Sequence, residues 1–227
     1  MGITIHYAGK AKSIEAIDAL IKVMTVRASV LHWPTKLIDQ DLNGKLYPNW
    51  GHGYEYVPSK EEMKEDKIEF FLKMVTKKCN GHFEIFDSPF ARKVRNALRR
   101  GKYPEFHIDT HAKGILLYPH KKCESLEFVF DLKTMELVSY ETWDNEPGMV
   151  YGGDNSCSCR TQFSNFRIHA LVCETIRFAE RYINFSEIRD ETGYYHSKNL
   201  KLGAKKFNDM IWSIKEMEKI LDEIGRM

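Results

Sequence analysis

Between positions 106 and 142 the chain offers three β-forming stretches in succession, with no helical stripe between them: 106–113 running into 114–118, then 125–131, then 135–142. Strands joined by so few residues pair antiparallel, because a parallel partner needs a crossover of a dozen residues or more. The second and third read as a hairpin over Leu132-Lys133-Thr134. This run excludes a sheet in which strand and helix strictly alternate. Helical periodicity lies on either side of it. Ser13 can cap a helix whose Ile14, Ile17, Leu20, Ile21 and Met24 share one face, and Pro34 predicts its end near Trp33. A second helix is expected over 165–182, with Ile168, Leu171, Val172, Ile176 and Ala179 toward the core. A third carries Phe207, Met210, Ile211, Ile214, Met217, Leu221 and Ile224 at three- and four-residue steps, most simply buried on its own sheet. Residues 3–8 alternate around His6 as a strand, and 187–190 read as extended. The class that follows is α+β, a mixed or antiparallel sheet packed against helices.

The middle of the chain has a different texture. Residues 36–39 read as a short strand, whereas 44–58 mix Gly and Pro with Tyr47, Trp50, Tyr54 and Tyr56 and read as a loop. Ser59-Lys-Glu-Glu62 is a capping box for a helix reaching Lys78, 83–86 is a short strand, and Ser88-Pro89 opens a helix closed by Gly101. Residues 43–105 are therefore expected to form a helical and loop insertion within one domain spanning 1–227. A further loop is expected over 145–158.

With 227 residues, one core is large enough without staples, and 43% hydrophobic with 29% charged residues excludes a disordered or fibrous chain. The net charge of +2 argues against coating nucleic acid by charge alone. No apolar stretch approaches the roughly 20 residues of a membrane helix. The first residues lack the blocks of a signal peptide. Five cysteines at irregular spacing read as reduced thiols, so the expected location is cytoplasmic.

Several patterns can carry chemistry. His107, Asp109 and His111 occupy alternate positions, so on a strand they share one face at steps of about 7 Å and can converge on zinc or another divalent transition metal. Cys79-Asn-Gly-His82, His120-Lys-Lys-Cys123 and Cys157-Ser-Cys159 are each half of a zinc spacing, against the simpler reading of ordinary thiols. The 90–102 stretch carries Arg92, Lys93, Arg95, Arg99, Arg100 and Lys102 without an acid. Arg95 and Arg99 are thereby candidates for a phosphate-bearing cofactor, although Val94 and Leu98 fit a solvated basic face better. Nucleic acid is the lesser reading of this helix and of the loop aromatics. There is no Gly-rich phosphate loop, no Gly-x-Ser-x-Gly and no His-Glu-x-x-His. His169 is a lone helical imidazole, a type that more often packs and hydrogen-bonds than reacts. Asp190-Glu191 can serve as base or ligand, or simply cap a helix.

Ile5-His6-Tyr7 with Gly9, Gly114-Ile115 leading to Pro119-His120 and Cys123-Glu124, Thr161-Gln162-Phe163 followed by His169, and Asp190-Glu191 with Gly193-Tyr194-Tyr195 occur in that order over most of the chain. In these pieces the sequence resembles a group of uncharacterised prokaryotic proteins. Thr192 stands where that group tends to have Gly, and Tyr195 where it tends to have Trp. The resemblance implies a shared fold and a shared pocket, but no reaction. It unites His120, Cys123, Glu124, Gln162, His169, Asp190 and Glu191 as one candidate site. Two classes of function follow. One is a ligand-binding or regulatory module for a small molecule or protein, using Gln162 and Asp190. The other is a metal-dependent hydrolase with either His107, Asp109 and His111 or His120, Cys123 and His169 as ligands, and Glu124, His169 or Glu191 in catalysis.

Overall fold

The computed structural model describes residues 3–49, 53–58, 106–141, 147–151 and 156–224. The expected helices and strand within 59–105, the Cys79–His82 pair, and Arg95 and Arg99 of the basic run lie outside the described residues. Two antiparallel sheets and their helices make an α+β fold, as the patterning implies. The smaller sheet has three strands in the order β8-β1-β9, with β1 (Thr4–Ala11) central between β8 (Ser156–Arg160) and β9 (Ile183–Asp190). The larger has six, in the order β5-β4-β2-β3-β7-β6: β2 (Thr35–Asn49), β3 (Gly53–Pro58), β4 (Phe106–Leu117), β5 (Leu126–Asp131), β6 (Ser139–Glu141) and β7 (Pro147–Tyr151).

Two expected loops turn out to be strands. Residues 44–49 extend β2 and pair with β3 from Gly44 opposite Pro58 to Asn49 opposite Gly53, while β4 lies on the other edge of β2. The glycines and prolines that suggested a loop are accommodated within this ladder. Likewise β7 falls inside the 145–158 stretch and β8 begins within it. The turn over Leu132-Lys133-Thr134 forms, closed by Met135 N–H to the Asp131 carbonyl at 2.7 Å with Met135 left-handed at φ 63°. Among the described residues, however, its arms share only the bridge Phe130 opposite Leu137, and the expected strand 135–142 is reduced to β6, which pairs with β7.

The main core lies where the two sheets and two helices meet. Helix α1 (Ile14–Leu31) is capped by Ser13 Oγ, which accepts from Ala16 N–H, and it buries Ile17, Leu20, Met24 and Ala28. It ends a little early, because His32 turns left-handed at φ 56° just before Trp33 and Pro34. Helix α2 (Phe166–Ala179) is capped by Asn165 and packs Val172, Cys173, Ile176 and Ala179 into the same core as Ile5, Tyr7, Ile115, Leu117, Phe128 and Phe130. Tyr7 ties the sheets together: its hydroxyl donates to the Glu127 carbonyl and accepts from the Glu127 N–H, both at 2.9 Å. Strand β5 is buried on both faces, because Ile38, Leu42, Ala112, Leu116, Val129, Val138 and Tyr140 form a second cluster.

After a short helix α3 (Tyr194–Ser197), helix α4 (Leu200–Ile224) closes the described chain. Its apolar stripe is not buried on a sheet. Gly203 and Phe207 are buried where the helix meets Phe166, but Trp212 is 65% exposed and Leu221 67% exposed. Helical periodicity identified the face correctly; what it meets is α2 and α3 at one end. No helix among the described residues is long and apolar enough to cross a membrane.

Candidate functional site

His169 and Cys173 are one helical turn apart on α2, so their side chains leave the same face. Asp190 is the last residue of β9, and it meets them because β9 runs beside β1 to the end of the sheet where Thr161 follows β8. The side chains of His169 and Asp190 are fully buried, as is Cys173. His169 Nδ1 lies 2.8 Å from Thr161 Oγ1, while its Nε2 lies 3.1 Å from Asp190 Oδ1 and 2.9 Å from Thr192 Oγ1. Asp190 also accepts from Thr192 N–H at 2.9 Å and from Tyr195 N–H at 2.8 Å, the latter through a turn that Gly193 permits at φ 70°.

Burial alone would raise the Asp190 pKa. The His169 hydrogen bond and charge, together with the two amides, outweigh it and hold the carboxyl at about 2. Burial first and Asp190 second push the Cys173 thiol well above its ordinary value. Both Cys173 and Asp190 face the same imidazole nitrogen, with Sγ 3.7 Å from Nε2. A nucleophilic Cys–His–Asp relay needs its thiol and its carboxylate on opposite ring nitrogens, so this cluster does not have that geometry.

The residues united by the resemblance divide into neighbouring groups. Gln162 Oε1 accepts from Ile3 N–H at 3.1 Å, Glu191 Oε2 from Thr4 N–H at 2.9 Å, and Glu124 Oε2 from Arg160 N–H at 2.8 Å. These three therefore gather around the start of β1 as backbone acceptors, close to the His169–Asp190 pair. His120 and Cys123 sit instead in the turn before β5, where His120 Nδ1 accepts from Lys122 N–H and the Cys123 thiol is raised by burial despite Ser164 beside it. Cys157 and Cys159 are buried, with thiols pushed far up mainly by burial, and act as small core residues.

The His107, Asp109 and His111 positions do alternate on β4, opposite Lys45, Asn43 and Asp41 of β2. Asp109 is exposed, and the side chain of His107 is outside the described residues. His111 is clasped between two carboxylates of β2, with Nδ1 2.7 Å from Asp41 and Nε2 2.5 Å from Asp39. Both ring nitrogens are engaged by carboxylates, and Asp41 and then Asp39 raise its pKa. A raised folded-state pKa adds stability that is complete below the unfolded value of about 6.5 and lost as pH rises through the folded one. Urea titrations between roughly pH 6 and 9 should therefore show wild type losing stability relative to His111→Asn. The loss should stay below about 1 kcal/mol for so exposed a pair.

Among the described residues, one group of three or more His, Cys, Asp or Glu donors gathers within 4.8 Å: His169, Cys173 and Asp190. Sequence reasoning named His169 and Asp190 but missed Cys173, Thr161 and Thr192 as their partners. The four-residue spacing from His169 to Cys173 on a predicted helix was the available signal. His6 was also missed as a site residue. It is half-buried on the face of β1 away from the core, between Ser158 and Arg189, and burial and then Arg189 lower its pKa against Glu191, Glu187 and Glu124.

Phe166 stacks on His169 at 6.1 Å and packs edge-on against Tyr194 at 5.5 Å, and beyond these rings a groove of about 530 Å³ opens to solvent. Its walls are Phe166, Ala170, Leu171, Tyr194, Leu200 and Ala204, with Arg167, Glu174 and Lys201 at the rim. Glu174 is neutralised by Arg177 at 2.5 Å and accepts from the Tyr194 hydroxyl at 2.8 Å. Arg167 and Lys201 are exposed, and no ion pair joins either to an acid among the described residues. Fold and site thus define an α+β protein with a buried His–Asp–Cys cluster behind an apolar groove. No known protein family, no curated protein and no solved structure matches the chain.

Proposed function

We propose that this chain is a ligand-binding or regulatory module that takes a small amphipathic acid, an apolar body carrying one anionic group, in the groove between α2, α3 and α4. The observation that carries the reading is the groove itself: apolar walls, with two basic side chains and one already neutralised acid at the rim. Its volume of about 530 Å³ is in the range of small-molecule pockets. Apolar walls supply affinity through burial, and Arg167 with Lys201 supply the preference for an acid over an alcohol or amine. A binding role is further supported by the candidate bases: Glu124 and Glu191 each hold a backbone amide.

Thermal-shift and calorimetric titration with decanoate, decanol and decylammonium test this reading. Decanoate should raise Tm saturably, since a ligand bound by the native state alone stabilises it by about 2.7 kcal/mol at a hundred times Kd. Decylammonium should not. The double reversal Arg167→Glu with Lys201→Glu should weaken decanoate by about tenfold or more, roughly 1.4 kcal/mol, and leave decanol unchanged. Equal response to all three probes, or to none, would overturn the proposal.

A further inference from the structure

The buried cluster behind the groove has a donor geometry beyond what a hydrogen-bonded pair requires. The Thr161 hydroxyl lies 3.4 Å from the Ile3 carbonyl, to which it donates, so it accepts from His169 Nδ1 at 2.8 Å. Nε2 turns toward Thr192 Oγ1 at 2.9 Å, Asp190 Oδ1 at 3.1 Å and Cys173 Sγ at 3.7 Å. Cys173 Sγ lies 3.9 Å from the other Asp190 oxygen, Oδ2, and the three donors gather within 4.8 Å of one another. Thr192 donates to Asp190 and so accepts from Nε2–H, which makes the cation in this dry cluster a ring proton or a metal ion standing in its place.

The distances leave room for the metal. A charge-assisted N–H···O bond closes to about 2.7–2.9 Å, shorter than this one. A tetrahedral zinc with nitrogen and oxygen at about 2.0–2.1 Å and sulfur at about 2.3 Å spreads its ligands to roughly 3.4 Å for N···O and 3.6 Å for N···S. We propose that His169 Nε2, Cys173 Sγ and an Asp190 carboxylate oxygen bind one divalent transition-metal ion of the zinc type as a structural centre. Thr192 Oγ1, 2.9 Å from Nε2 and 3.0 Å from each Asp190 oxygen, holds the carboxylate beside the ring by hydrogen bonds. On binding, the metal displaces the thiol proton and the Nε2 proton to solvent. Thiolate, carboxylate and neutral imidazole then balance the 2+ charge, which suits a site with no exposure. Thr161 is the outer partner that orients the imidazole, as metal-bound histidines ordinarily have. The centre would staple α2 to the ends of β8 and β9, and it is independent of whether the groove takes a ligand.

Elemental analysis of the purified full chain, before and after incubation with Zn²⁺ and dialysis, should find about one zinc per chain. Replacement with Co²⁺ should give the intense visible absorption of a tetrahedral thiolate-bound ion. Cys173→Ser should abolish that absorption, while Cys123→Ser, changing a thiol outside the cluster, should retain it. Thr161→Val should weaken metal affinity by about 10–100-fold. Should Cys173→Ser fail to fold, X-ray absorption of the wild-type zinc form should still show one sulfur among nitrogen and oxygen ligands. A chain that stays metal-free after Zn²⁺ incubation, cobalt absorption surviving in a folded Cys173→Ser, or a zinc edge without sulfur would each overturn the proposal. The cation in the cluster would then be the imidazolium proton.

Discussion

Asp190→Ala should destabilise the fold by about 3–5 kcal/mol, read from the urea midpoint at neutral pH. That is the range for removing one member of a fully buried charged pair. The carboxylate accepts from the imidazole, from the amides of Thr192 and Tyr195 and from the Thr192 hydroxyl. Alanine strands all of these donors where water does not reach. Asp190→Asn retains one oxygen, enough for some of the donors, and should lose only about 1–3 kcal/mol, the cost of unsatisfied buried groups. The order of the two variants is the informative result. Equal losses would mean that neither the side-chain volume nor the single oxygen kept by Asn matters, and that the full carboxylate is required.

Gly114→Ala is expected to be comparably severe for a different reason. A Cβ at this position would lie 2.1 Å from the Phe128 carbonyl oxygen and 2.5 Å from Val129 Cα. Those atoms belong to the backbone of the neighbouring strand β5, so no rotamer relieves the contact and β4 has to separate from β5. Gly193 is the only described glycine with a left-handed backbone, so Gly114 is required for space and not for conformational freedom. Overpacking ordinarily costs about 1–3 kcal/mol. With backbone as the obstacle the upper end is expected, about 3 kcal/mol, or a Tm lower by roughly 6–12 °C for a chain of this size. Leu37→Ala, at a side chain 63% exposed, should change stability by less than about 0.5 kcal/mol and serves as the comparison.

Where local pattern governs, the sequence was legible. Ser13 and Asn165 cap the two helices they precede, and the turn over Leu132-Lys133-Thr134 forms. The strands at 44–49, 53–58 and 147–151 were not legible, because Gly and Pro signal turns locally and only pairing with neighbours makes them strands. The site behaved similarly. His169 and Asp190 were visible as a helical imidazole and an acid able to serve as base or ligand, but the third donor, Cys173, read only as one of the five reduced thiols. His111 read as a metal ligand until the register of β2 against β4 brought Asp39 and Asp41 to its two nitrogens.

The three successive β-forming stretches that begin at Phe106 determined the class of this protein by themselves, because strands so close in sequence pair antiparallel before anything else can reach them. The α+β outcome was therefore written locally. Only the tertiary structure decided which polar groups meet. Asp190 reaches His169 across 21 positions and Thr4 reaches Glu191 across 187, and such contacts exist only once β9 and β8 flank β1. Helical and strand periods specify faces, whereas the register between strands specifies neighbours. The candidate site is built from neighbours.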